Sequence, residues 1–195
     1  MNIFILSENP QEAATMMLNK HVVKMPTESM QMLSTISNHV GLDSPYKPVM
    51  LNHPCTMWAR LSKDNFQWLI DHCNALCSEY TSRYNRVHKV QTTMEEYHDT
   101  FMEVKTYLPN LGLTPFAIAI APNMECRKHP NFDNLSTVNK YRLYYLEDKW
   151  YIGQWTFGSP DWWPNDHIIK KQKDREHKLY LQNEKLKQIQ KERLR

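Results

Sequence analysis

The chain has 195 residues with 24 Lys and Arg against 21 Asp and Glu, a formal net charge of +3, and four glycines. That length suits one domain, or one domain with an appendage. So few glycines argue against Rossmann and P-loop folds, whose phosphate loops need Gly. The basic excess sits mainly in the C-terminal tail, which permits a nucleic-acid partner without requiring one. Cys55, Cys73, Cys77 and Cys126 form no CxxC pair. With no leader segment evident, reduced thiols in a cytoplasmic protein are expected. The longest apolar run, Phe116 to Ala121, is too short to span a bilayer, so no membrane partner is expected.

In chain order, residues 2–6 form a short extended lead-in. Pro10 then begins a helix continuing to about His39, with a kink or break expected at Met25–Pro26. On that helix His21 and Glu28 fall within about 20° of one another, with Lys24 about 60° to one side. Met17 and Gln31 flank the same stripe. The opposite side carries Val22, Met25, Met32, Leu33 and Ile36. An imidazole, an ammonium and a carboxylate on one narrow face are a possible base, amine nucleophile and acid. A solvated face with an i,i+4 Lys24–Glu28 pair is equally consistent with the spacing.

Asn52 or His53 caps a helix opened by Pro54, and Ser62 caps the next. Phe66, Leu69, Ile70, Cys73, Leu76, Cys77 and Tyr80 recur at three and four residues and predict a buried-face helix over 63–84. Its end interleaves Tyr80, Arg83, Tyr84, Arg86, His88 and Lys89. A further helix over Thr92–Tyr107 is capped by Thr92 or Thr93. Residues 109–130 are irregular, and Ser136 or Thr137 begins a helix over Val138–Trp150. Trp155, Phe157, Trp162 and Trp163 lie in a closing strap. From His167 the chain is Lys-, Glu- and Gln-rich. Leu179, Leu181, Leu186, Ile189 and Leu194 hold no clean heptad there, which reads as a solvated helix, frayed or docked on a protein partner.

His and Cys spacing matches no zinc module, and no metal or other cofactor is expected. A nucleophilic Cys55 beside His53 needs an activating environment. The tyrosines and cations together suit a phosphate-bearing ligand with stacked bases. Packing between helices is the alternative for each tyrosine.

His21-Val-Val-Lys24-Met25, Asn52-His53-Pro54-Cys55-x-x-Trp58-x-Arg60, Asn65-x-x-Trp68, Tyr80-x-x-Arg83-Tyr84-x-x-x-His88-Lys89, Thr114-Pro115 and Tyr141-Arg142-x-Tyr144-Tyr145 resemble a family of phage and bacterial proteins, over roughly residues 1–157. That family is similar to the pyrimidine-dimer DNA glycosylases of the endonuclease V type. The resemblance implies a small, all-helical, cofactor-free enzyme that uses an N-terminal amine and a glutamate on the first helix. Glu28 is the candidate carboxylate. Asn2 has a bulky side chain, so the initiator Met is expected to stay. An aliphatic residue is expected where Pro26 stands.

The expected architecture is mainly α: a helical bundle over 1–163 with an irregular aromatic segment, and a charged helical extension over 164–195. The expected function is cleavage of an N-glycosidic bond in DNA or a nucleotide, at damaged or modified pyrimidines. Glu28, Lys24 and His21 form the catalytic set. Arg60, Arg83, His88, Lys89, Asn52 and His53 contact phosphate, and Tyr84 or Tyr145 stacks a base. A non-catalytic nucleic-acid-binding or host-interaction protein is the alternative.

Overall fold

The computed structural model describes residues 1–193, without the side chains of 188 and 191–193; Leu194 lies outside the described residues. The fold is mainly α. Eight helices are present among the described residues: α1 Pro10–Met16, α2 Asn19–His39, α3 Pro54–Leu61, α4 Lys63–Tyr84, α5 Lys89–Glu96, α6 His98–Tyr107, α7 Thr137–Asp148 and α8 Asn165–Arg193. None is long and apolar enough to cross a membrane.

Helix α4 spans the predicted 63–84 and is the surface on which α1, α2 and α3 pack. Its face of Phe66, Leu69, Ile70, Cys73, Leu76 and Cys77 is buried. Each large apolar side chain there contributes about 1.5–3 kcal/mol. Ser62 accepts from the Asp64 amide at 3.3 Å, and His53 Nδ1 accepts from the Cys55 amide at 3.2 Å, so both expected caps are in place. Ser136 likewise caps α7 by accepting from the Asn139 amide.

Three stretches differ from expectation. The first helix breaks at Met17–Leu18, both in extended backbone, and α2 then runs through Pro26. Partners elsewhere in the chain replace the missing intrahelical bonds at that break. The Asn19 amide donates to Gln154 O at 2.8 Å. The Arg83 guanidinium donates to Thr15 O at 2.9 Å, and to Met17 O and Asn19 Oδ1 at 2.7 and 2.9 Å. Tertiary capping thus outweighs the local proline signal. Second, His88 caps α5 by accepting from the Val90 amide, and Tyr97 separates α5 from α6, so the expected Thr92–Tyr107 helix is two helices. Third, the lead-in is buried but not uniformly extended. Phe4 has φ 50°, a left-handed conformation uncommon outside glycine.

The strap packs over the α1–α2 junction. Trp155 Nε1 donates to Met16 O at 2.9 Å, and the ring of Trp163 lies so close to Gly153 that a Cβ there would sit 2.4 Å from it. The first turns of α8 are tied down. Ile168 is buried, His167 Nε2 lies 3.3 Å from Glu147, and Lys171 pairs with the same carboxylate. The expected division after residue 163 therefore falls ahead of two anchoring turns. Every side chain described from Gln172 onward is exposed.

Candidate active site

The amino end of the chain lies against Glu28. Asn2 makes this possible: its Oδ1 accepts from the amides of Ile3 and Phe4 at 2.8 and 3.0 Å, and its Nδ2 donates to Ala119 O at 2.9 Å. This turn on a buried Asn bends residues 1–4 back onto α2. The Asn2 amide then donates to Glu28 Oε2 at 2.8 Å, and the Met1 amino nitrogen lies 3.9 Å from that oxygen. The other carboxylate oxygen, Oε1, receives Lys24 Nζ at 2.7 Å. Glu28 is 15 % exposed and Lys24 68 % exposed. One carboxylate at the edge of the core thus holds two amino groups of different chemistry.

His21 leaves this wet face for the core. It is 7 % exposed, stacks on Phe4 at a centroid distance of 4.3 Å, and its Nδ1 is hydrogen-bonded to the Tyr145 hydroxyl at 2.6 Å. Burial, with the cations Lys149 and Lys24 nearby, pulls its pKa down to about 3. At neutral pH it is an uncharged ring that wedges the strained Phe4 against α7. The Tyr144 ring lies parallel to Phe4 at a centroid distance of 6.1 Å, and Lys149 lies over the Tyr144 ring at 5.1 Å. Tyr145 is fully buried, and burial raises its phenol well above the ordinary value. That position leaves it no face on which to stack a base.

His53 is half-buried beside the amino end. Burial lowers its pKa, the Met1 ammonium lowers it further, and Glu28 opposes them. Its Nδ1 is committed to the α3 cap, so Nε2 is the nitrogen left for other contacts. Cys55 follows it, buried, with burial pushing its thiol up to about 12. The thiolate needed for a Cys55 nucleophile is therefore suppressed. Asn52 is exposed at the same helix start.

The second expected cluster is largely structural. Arg83 is 2 % exposed and is used up by Glu79 at 2.6 Å, the carbonyls of Thr15 and Met17, and Asn19. Four of its five N–H groups are spent on clamping the α1–α2 break and on Glu79, a structural role that stands against the expected phosphate contact. The Tyr84 hydroxyl donates to Asn19 O at 3.2 Å, and His88 Nε2–H donates to Val23 O at 3.2 Å. These link the end of α4 to the start of α2. Arg60 is half-buried and Lys89 exposed. Asn65 and Thr114 also have structural roles. Asn65 Nδ2 donates to Trp58 O and to Thr114 Oγ1, and the Thr114 amide returns to Asn65 Oδ1, which pins the irregular segment to α4.

Helical spacing placed Glu28 and Lys24 together and the resemblance pointed to an amino-terminal amine, but the turn on Asn2 and the packing of Phe4 that bring this amine to Glu28 were not foreseen. A buried apolar run at the very start of the chain, opened by an Asn able to form a local turn, was the available signal.

Residues 1–92 match the pyrimidine dimer DNA glycosylase family. That is a little under half of the chain, and it contains Met1, Asn2, Lys24, Glu28 and His53. Over this stretch the chain is similar to that family, which suggests DNA as a partner class. Comparison with curated proteins and with solved structures finds no match.

Proposed function

We propose that the protein is a DNA glycosylase acting on pyrimidine-dimer or otherwise modified pyrimidine nucleotides through an amine held by Glu28. The observation that carries this reading is the placement of the Met1 amino group and the Asn2 amide on one Glu28 carboxylate oxygen, at 3.9 and 2.8 Å. The family match over the same residues supports it.

The amine lone pair attacks C1′ of the target nucleotide. The N-glycosidic bond breaks, its electron pair leaving with the base, which takes up a proton. The sugar ring then opens, O4′ taking a proton, and an imine joins C1′ to the protein. Glu28 positions the amine, accepts its proton as it becomes nucleophilic, and stabilises positive charge at C1′. The Met1 side chain is 6 % exposed against Glu28 whereas that of Lys24 is 68 % exposed, which favours Met1 as the desolvated nucleophile and leaves Lys24 beside it as a phosphate contact. On a chain lacking the initiator Met the amine would be that of Asn2, whose nitrogen lies 2.8 Å from the same Glu28 oxygen. His21 positions Phe4 and hence the amino end. His53, Asn52, Arg60 and Lys89 are the remaining candidates for contacts to the nucleic acid.

The test is turnover of a duplex oligonucleotide carrying one pyrimidine dimer, by wild type and Glu28→Gln. Loss of about 100-fold or more with unchanged melting is expected. Equal turnover would leave the non-catalytic DNA-binding reading.

A further inference from the structure

Helix α8 lies outside the family match and beyond the Glu28 cluster, yet it carries the positive charge of the chain. Residues 167–195 hold ten Lys and Arg against four Asp and Glu, leaving fourteen against seventeen in residues 1–166. The folded body is thus weakly acidic and the helix strongly basic. Its first turns are fixed by the buried Ile168 and by His167 and Lys171 on Glu147 of α7, the helix that also carries Tyr144 and is followed by Lys149 near His21. At 29 residues it is about 43 Å long, somewhat more than one turn of B-form DNA at about 34 Å.

Positions 170, 173, 177, 180, 184 and 187 follow a three-four spacing and share one face. They are Lys170, Lys173, His177, Tyr180, Glu184 and Lys187, all exposed. Of the acids on this face, Glu184 pairs with Lys187 at 2.9 Å, and Asp166 lies one turn ahead of Lys170 at the anchored end of the helix. We propose that this face is an arm lying along the phosphate backbone of duplex DNA, independent of base sequence. The proposal rests on the DNA reading given above.

Charge complementarity selects the occupant. A second copy of this helix would bring like charges together. The apolar residues do not form a seam either: Arg175 and Gln182 interrupt the line through Leu179 and Leu186, and Leu181 lies off it. Beyond these anchored turns a polar helix is marginal alone, and a backbone ligand supplies the missing partner.

The experiment measures affinity for an undamaged 30-base-pair duplex across a salt series, comparing the full-length protein with its Lys170→Gln, Lys173→Gln, Lys187→Gln triple variant. Each lost phosphate contact lowers the magnitude of the log–log salt slope by about 0.9, so a drop of about 2–3 is expected, with affinity weaker by about tenfold or more at low salt. Imine trapping on a short dimer-bearing oligonucleotide should persist in the triple variant. Equal slopes, or no duplex binding by either protein, overturn the proposal. Equal slopes accompanied by a self-associated mass that Leu179→Lys abolishes also overturn it, assigning the helix to a protein partner. Failure of wild-type trapping with the slope difference intact refutes the glycosylase reading and leaves the arm standing.

Discussion

Arg83 offers a direct contest between a binding role and a folding role. Its guanidinium is 2 % exposed and satisfies Glu79, two backbone carbonyls at the end of α1, and the Asn19 side chain. Arg83→Met keeps the apolar stem and removes the charge. Glu79 then keeps a largely buried carboxylate without its partner, which typically costs about 3–5 kcal/mol. The orphaned carbonyls add to this, at about 1–3 kcal/mol for each group left unsatisfied. Mutual relaxation at the break offsets part of the sum, so a loss of about 3–5 kcal/mol is expected. Arg83→Lys should recover little, because one ammonium cannot span four acceptors that a planar fork reaches. Urea unfolding followed by circular dichroism gives the number. A midpoint shift equivalent to less than about 0.5 kcal/mol, together with weakened DNA binding, would refute the clamp and restore the phosphate contact.

The remaining predictions concern the core, acid stability and the tail. Leu76 is fully buried on the central helix, so Leu76→Ala should cost about 2–5 kcal/mol in the same unfolding assay. His21 and His72 are buried and neutral, with pKa values lowered by burial to about 3 and about 4. The unfolded chain binds protons on both below about pH 6.5 while the folded chain does not. Stability should therefore be fully present above that pH and fall as the medium is acidified towards pH 4. The slope is about 1.4 kcal/mol per pH unit for each histidine. His72→Phe should flatten the profile measured between pH 7 and 4. A chain ending at Lys178 should melt close to wild type. One ending at Trp163 should lose about 1–3 kcal/mol or more, since it removes the buried Ile168 and both partners of Glu147.

Local signals were legible where the chain's neighbours in sequence are also its neighbours in space. The α4 register, the Ser62, His53 and Ser136 caps and the Lys24–Glu28 pair all rest on separations of two to four residues. The α1–α2 break was not legible, because Arg83 and Gln154 decide it from distant parts of the chain. The same holds for the core of the candidate site. Glu28 meets Asn2 across 26 residues, and His21 meets Tyr145 across 124. Helical spacing placed His21 on the Glu28 face. Phe4 and Tyr145 instead draw the ring into the core, where its charge is suppressed. Clustered Tyr and Arg pointed to a ligand, but in Arg83, Tyr84 and Tyr145 the polar groups are spent inside the protein.

The proposed reaction makes an amine beside Glu28 the nucleophile. Borohydride reduction during turnover of a dimer-bearing duplex, followed by peptide mapping of the trapped adduct, tests it most directly. A covalent DNA adduct is expected on the amino-terminal peptide of wild type, strongly reduced in Glu28→Gln. An adduct on the Lys24 peptide would move the chemistry to the other amine on the same carboxylate. Cleavage of the glycosidic bond with no trapped adduct would contradict the amine mechanism.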